Sequence, residues 1–148
     1  MRTPTRANYG LDSPRIIRTL LALGLAPVFV GHGLSSGGRW VAYGLGGYSL
    51  LGAAGMLFYS KVGKLGLAER LLGHIPWRGS EQVLDVRLWP GIVDIAAAHR
   101  VPKGSVIGVD VWHPAALTGN RADSVLQNAR IEGVGDRVEV RPGDARAL

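Results

Sequence analysis

Two long uncharged stretches near the amino terminus most constrain how this chain of 148 residues can fold. No residue from Thr19 to Gly38 carries a fixed charge, and the 21 residues from Trp40 to Ser60 carry none either. A helix needs about 20 such residues to cross a hydrocarbon layer of roughly 30 Å. Proline and glycine, frequent in both runs, are better tolerated in lipid than in soluble helices. The pattern predicts two membrane-spanning helices; the alternatives are buried helices of a soluble bundle or, for the first run, a signal peptide.

The basic residues around these runs predict an orientation. Arg15 and Arg18 precede the pair, Lys61 and Lys64 follow it, and only Arg39 lies between the two runs. Because short cytoplasmic flanks are enriched in Lys and Arg, we expect both ends in the cytoplasm, with the protein in the cell (inner) membrane. The expected organisation is a cytoplasmic basic arm (1–18), a two-helix membrane hairpin (19–60), an amphipathic linker (61–81) and a soluble α/β part (82–148).

The linker contains four leucines that we expect on one side of a helix, with scattered cations on the other: Leu65, Leu67, Leu71 and Leu72. Such a helix would lie along the membrane surface next to the second span. Pro76 and Gly79 then predict an end to this helix before Gln82.

The charge distribution argues against nucleic acid as a partner. The formal net charge is +6, but residues 1–82 carry nine Lys/Arg against three acids, whereas residues 83–148 carry eight against eight. Nucleic-acid modules concentrate their positive charge on the folded domain, and here that part is neutral. The chain has no cysteine, which excludes disulfides and thiolate metal sites.

The second half alternates strand and helix patterns. Short apolar runs at 82–86 ("QVLDV"), 105–110 ("SVIGVD") and 137–144 ("RVEVRPGD") predict strands. Helical patterns at 91–100 and 122–133 separate them, the second with Asp123 or Ser124 as N-cap and Gly133 as its stop. This order is typical of the βαβαβ half of a doubly wound parallel sheet.

Three acids lie at or near the carboxyl ends of these predicted strands: Asp85, Asp110 and Asp144. Ligands of such sheets bind in the crevice at those ends. Asp110 comes 25 residues after Asp85, about where related folds place an acid on the ribose hydroxyls, and its carboxylate can accept two hydroxyl hydrogen bonds at once. The alternative is a strand-end aspartate that caps the next turn.

From Trp77 to Leu148 the ordered set of motifs resembles class I S-adenosylmethionine-dependent methyltransferases. The motifs are "VLDVRLWPG", "VIGVDVW" and the "GD" of Gly143-Asp144. For the second half, the resemblance implies the first βαβαβ half of a Rossmann-like methyltransferase domain, so the expected α/β fold is two transmembrane helices followed by this half-domain. It implies S-adenosyl-L-methionine as cofactor and no metal. It does not identify the methyl acceptor, which we expect to be a small molecule rather than a macromolecule. The implied cofactor-binding residues are Asp85, Gly91, Asp110, Val111, Asp144 and Ala145. The two-span anchor is similar to a membrane-associated branch of bacterial methyltransferases.

The first motif departs from the family pattern, because Arg87 and Trp89 stand where the family has glycines. Glycine at this turn lets the backbone approach the ligand and adopt dihedrals closed to other residues. One hypothesis is a compensated frameshift, since the codons CGG-CTG-TGG contain Gly-Cys-Gly one base later; the gene sequence tests it. The alternative is an ordinary divergent turn.

The chain ends at "GDARAL", where the family continues into further strands. A sheet of three parallel strands would expose an edge and one apolar face, which favours self-association. We therefore expect a membrane-anchored methyltransferase with no nameable catalytic residue. The alternatives are a truncated, catalytically inactive remnant that acts as a small membrane or interaction protein, and another nucleotide binder such as a dehydrogenase.

Overall fold

A helical hairpin forms the first half of the structure, which is a computed structural model that describes residues 6–86, 91–111, 121–144 and 146. Helix α1 spans Pro14–Gly31 and α2 spans Ser36–Phe58, joined by a four-residue turn at 32–35. The helix does not stop at Phe58: a π-helical turn, Tyr59–Gly63, leads directly into α3, Lys64–Leu72. Helices α2 and α3 therefore belong to one continuous helix of 37 residues.

The two hairpin helices approach each other closely where glycines meet. A Cβ atom added to Gly46 would lie 2.7 Å from the carbonyl oxygen of Gly24, and one added to Gly24 would lie 2.6 Å from Leu50 Cγ. The outward faces are exposed, with Phe29 at 74% and Tyr48 at 81% of their full accessibility. Both helices are long and apolar enough to cross a membrane, and 17% of each apolar window is buried. Core helices of soluble domains are mostly buried instead.

Helix α3 corrects the prediction that four leucines share one side. The buried residues of α3 are Lys64, Ala68 and Leu72, while Leu67 and Leu71 are 39% and 61% exposed. The reason is the helical period: at about 100° per residue, positions 67 and 71 point away from position 72. Because α3 continues the long helix, it extends about 21 Å beyond Phe58 at about 1.5 Å per residue.

The second half is the predicted βαβαβ unit. Strands β1 (Gln82–Val86), β2 (Ser105–Asp110) and β3 (Val138–Pro142) pair in parallel in the order β1-β2-β3, with helices α4 (Ile92–Arg100) and α5 (Ala122–Ile131) between them. The N-cap of α5 is Arg121, not Asp123 or Ser124, and no side chain caps that end. Gly133 follows α5 with a φ of 75°, as expected of a helix stop.

Alternating residues of the strands face a single apolar core. Val106 and Val138, which pair across β2 and β3, are buried with Ala97 and Ala98 of α4 and with Val125 of α5. On the opposite face of β1, Leu84 is 56% exposed. The exposed apolar face that the sequence predicts for a three-strand parallel sheet is therefore present among the described residues.

A short amino-terminal segment, which we call the strap (residues 8–12), connects the long helix to α5. The backbone amide of Asn8 donates to Asn128 Oδ1 at 2.9 Å, and Asn128 Nδ2 donates to the Asn8 carbonyl at 3.0 Å. At the other end of the strap, the fully buried Lys64 donates from Nζ to the Tyr9 carbonyl at 2.7 Å and pairs with Asp12 at 3.2 Å. The strap thus contacts both halves of the structure.

The glycine contact in the hairpin predicts a position-specific loss of stability. Gly46→Val should lower the thermal unfolding midpoint of the full chain in detergent, because the new side chain meets the backbone of Gly24 and overpacking costs about 1–3 kcal/mol. Gly47→Val is the matched control, since nothing lies within 4 Å of a Cβ at that position. Equal losses in the two variants would show that the close contact at Gly46 does not stabilise the hairpin.

Candidate functional site

The carboxyl ends of the three strands enclose a cavity of about 330 Å³. The register pairs Val86 with Val109 and Asp110 with Pro142, so the strands end side by side. A backbone hydrogen bond from the Gly143 amide to the Asp110 carbonyl, 3.1 Å long, holds the end of β3 against β2. The cavity is lined by Val86, Val109, Asp110, Val111, Gly143, Asp144 and Arg146. Its volume falls in the range of about 300–1,000 Å³ that is usual for small-molecule sites.

Asp110 is the most enclosed acid of the cavity. It is the last residue of β2 and is 9% exposed. A carboxylate offers about four lone-pair sites, so it can accept hydrogen bonds from two neighbouring hydroxyl groups. Three valines form an apolar part of the wall, and Asp144 and Arg146 form a polar part. An enclosed acid next to apolar side chains suits a ligand that has a diol and a flat ring.

Asp144 lies in the same cavity and pairs with Arg146. Arg146 Nη2 donates to Asp144 Oδ2 at 2.5 Å, and Nε lies 3.0 Å from Oδ1. The Arg146 guanidinium lowers the pKa of the Asp144 carboxyl below its ordinary value. Because Arg146 is 89% exposed, a ligand that competes for Asp144 would displace a solvated side chain.

Asp85 does not line the cavity, although it is the fourth residue of β1 and lies near its carboxyl end. Burial raises the pKa of this carboxyl to about 6, and the negative charge of Asp110 adds to the effect. Its Oδ2 atom is buried and has no hydrogen-bond partner among the described residues. The register pairs Asp85 with Gly108 of β2, two residues before Asp110, so Asp85 lies within electrostatic reach of Asp110.

Asp94 is a buried acid that the sequence prediction missed. It lies in the first turn of α4, is fully buried, and neither carboxylate oxygen has a partner among the described residues. Burial raises its pKa to about 8, with a further contribution from the charge of Asp85. A signal was available, since Asp94 shares a helical face with the apolar Ala97, Ala98 and Val101.

Gly91 holds the start of α4 in place. It is buried, it is the N-cap of the helix, and its φ of 76° lies in the left-handed region that favours glycine. A Cβ atom here would also lie 2.7 Å from Val125 Cγ1 of α5. Its role in the structure is to let α4 begin close to both β1 and α5.

Of the predicted cofactor residues, three line the cavity: Asp110, Val111 and Asp144. Asp85 and Gly91 lie outside its lining, and Ala145 lies outside the described residues, as do Arg87 and Trp89 of the divergent turn. Within residues 6–86, 91–111, 121–144 and 146, no three His, Asp or Glu side chains are grouped so that they could hold a metal ion. A larger hollow of about 460 Å³ lies between α1 and α2 and has an apolar lining without titratable groups.

No protein-family model and no curated relative matches this chain. Among solved structures, a crystal structure from Nostoc punctiforme described as a "putative O-methyltransferase" matches with 20% sequence identity and a TM-score of 0.45. The match covers 90% of this chain and 38% of that one, so the chain spans well under half the length of that protein. A likeness this distant does not identify a family.

The buried Asp94 predicts that stability falls as pH rises. Its pKa is raised from 3.8 to about 8, so between these values the folded state keeps a proton that the unfolded chain has lost. The contribution of Asp94 to the free energy of unfolding is therefore full below about pH 4, decreases up to about pH 8 and is then constant. Asp94→Asn should flatten this decrease and raise the free energy of unfolding at pH 8 by several kcal/mol, measured by denaturant titration at a series of pH values.

Asp123→Asn is the control for this experiment, because it removes an exposed acid from the first turn of α5. It should leave the pH dependence unchanged. If Asp94→Asn and Asp123→Asn gave the same pH profile, Asp94 would not be the buried acid that titrates.

The packing of Gly91 predicts that substitution by alanine lowers stability more at Gly91 than at Gly133, a glycine of similar backbone conformation. Gly91→Ala and Gly133→Ala both place a side chain at a φ near 75°, which costs on the order of 1 kcal/mol. Only Gly91→Ala also meets Val125, since nothing lies within 4 Å of a Cβ at Gly133. We expect a lower unfolding midpoint for Gly91→Ala than for Gly133→Ala. The reverse order would contradict the close approach of α4 and α5.

Proposed function

We propose that this chain is a membrane-anchored, S-adenosylmethionine-dependent methyltransferase whose cofactor binds at the carboxyl edge of the sheet. The observation that carries the proposal is the shared cavity of Asp110, Val111 and Gly143-Asp144. These residues belong to two separate motifs of the sequence, and the parallel register brings them to one site.

The residues of the cavity fit the chemistry of this cofactor. Asp110 would accept hydrogen bonds from the ribose hydroxyls, the valines would contact the adenine ring, and Asp144 would accept from the adenine amino group. When bound, the cofactor supplies a methyl group on a sulfonium centre. The chain's own part is to orient that group beside an acceptor, and alignment of reacting centres is a large part of such catalysis. A small-molecule acceptor is our expectation for the substrate.

The hairpin supports anchoring in a membrane. Its outward side chains are large, apolar and exposed, as Phe29, Tyr48 and Leu51 illustrate. Such a surface is costly in water and is matched to lipid. The basic flanks favour a cytoplasmic location for the sheet and its cavity, at the inner membrane.

An inactive remnant is the second candidate, and two observations favour it. The carboxylate of Asp144 is occupied by Arg146, and Leu84 leaves part of one sheet face exposed. In that case the α/β part would bind no cofactor, and the chain would self-associate through the uncovered part of its sheet.

Calorimetric titration of the full chain in nanodiscs with S-adenosylmethionine separates these candidates. The methyltransferase proposal expects binding, and it expects Asp110→Asn to weaken that binding by about 10- to 100-fold, because hydrogen bonds to a charged group contribute about 1.5–3 kcal/mol. Asp136→Asn, which removes an exposed acid from the turn before β3, is the matched control and should bind as the native chain does.

A double variant, Arg87→Gly with Trp89→Gly, completes the experiment. If only the glycine variant binds the cofactor, the divergent turn blocks a site that is otherwise competent. If neither chain binds, the methyltransferase proposal is wrong and the remnant is favoured. Binding that is insensitive to Asp110→Asn would place the cofactor elsewhere.

A further inference from the structure

Four exposed cations lie on the segments that meet at the end of the hairpin from which the long helix continues into α3, or close to them in sequence. We call them the basic collar: Arg6, Arg15, Arg18 and Lys61. Arg15 and Arg18 lie three residues apart in the first turns of α1, Lys61 lies in the π-helical turn, and Arg6 precedes the strap. All of them are close in sequence to the contact between Asp12 and Ser60.

The strap fixes the elements that carry the collar. The Asp12 amide donates to Ser60 Oγ at 3.1 Å, and the Asp12 carboxylate pairs with the buried Lys64 at 3.2 Å. These contacts hold the start of α1 against the π-helical turn, so Arg15 and Lys61 are carried on adjoining, ordered segments. The collar is therefore a feature of the folded hairpin as well as of the sequence.

The collar has no acidic partner within the part of the chain that the structure describes. None of its four members forms an ion pair there, and Asp12, the acid nearest in sequence to the three arginines, pairs with Lys64. Helix α1 has no acidic residue in its first turn. Cations at a helix amino terminus oppose the helix dipole and repel one another, and a bound anion would reduce both effects.

We propose that the basic collar binds the phosphate groups of anionic phospholipids in the leaflet around the hairpin. This inference rests on the membrane anchoring proposed above and adds the chemistry of the lipid partner. The collar lies at the boundary between the uncharged run that ends at Ser60 and the first charged residue after it, Lys61. That is the level of the headgroups if the run spans the hydrocarbon layer. Cations at this level are attracted to an anionic leaflet, and the attraction decreases with salt.

Native mass spectrometry of the full chain, released from detergent that contains equal amounts of phosphatidylglycerol and phosphatidylcholine, tests the proposal. We expect the native chain to retain phosphatidylglycerol several-fold over phosphatidylcholine, and the preference to decrease when the mixture is equilibrated at high salt. Arg15→Gln with Arg18→Gln should reduce the preference to near parity. Arg39→Gln, which removes a cation from the opposite end of the hairpin, is the control and should keep the preference.

Two outcomes would overturn the inference: equal retention of both lipids by the native chain, or a phosphatidylglycerol preference that the double variant leaves unchanged. Alkaline extraction of membranes from cells that express the chain keeps this failure distinct from failure of the proposed function. A chain that stays in the membrane and shows no lipid preference disproves the collar site alone. A chain that is extracted disproves the membrane anchor and the collar site with it.

Discussion

The packing of α4 between the sheet and the long helix is the interaction on which the rest of the structure depends. Its buried face includes three consecutive alanines, of which Ala97 and Ala98 are completely inaccessible, and the helix contacts all three strands. It also contacts α3, where Arg100 pairs with Glu69 at 2.6 Å. Because Leu72 and Trp77 join the same apolar cluster, the helix that leaves the hairpin and the parallel sheet share one core.

This arrangement also determines where chemistry can occur. Parallel strands bring their carboxyl ends to one edge, and α4 begins at that edge because Gly91 can adopt a left-handed conformation there. Two of the four acids near this edge, Asp110 and Asp144, line the cavity. The other two, Asp85 and Asp94, lie outside its lining. The raised pKa of Asp94 couples the protonation of this carboxyl to the stability of the folded chain.

Much of the fold was predictable because local signals and tertiary contacts agree. The strands at 82–86 and 105–110 have the predicted bounds, since each is an apolar run that ends at a charged residue or a turn. The prediction that four leucines share one side of α3 was wrong, because the helical period places Leu67 and Leu72 on different sides of the helix. The capping prediction for α5 was also wrong, since the extended backbone of Arg121 starts that helix before either polar candidate. Three of the six predicted cofactor residues line one cavity, and the prediction for Ala145 stays a prediction.

The sequence by itself determined the uncharged runs, the strand and helix order, and the acids at the strand ends, because periodicity and charge are local properties of the chain. Only the tertiary structure decided which of the buried ionisable groups find partners. Lys64 and Asp94 are both ionisable residues in helical patterns, yet Lys64 is buried against Asp12 and the strap, while Asp94 is buried without a partner among the described residues. The difference depends on contacts between segments far apart in the sequence, and the pattern around either residue alone does not contain it.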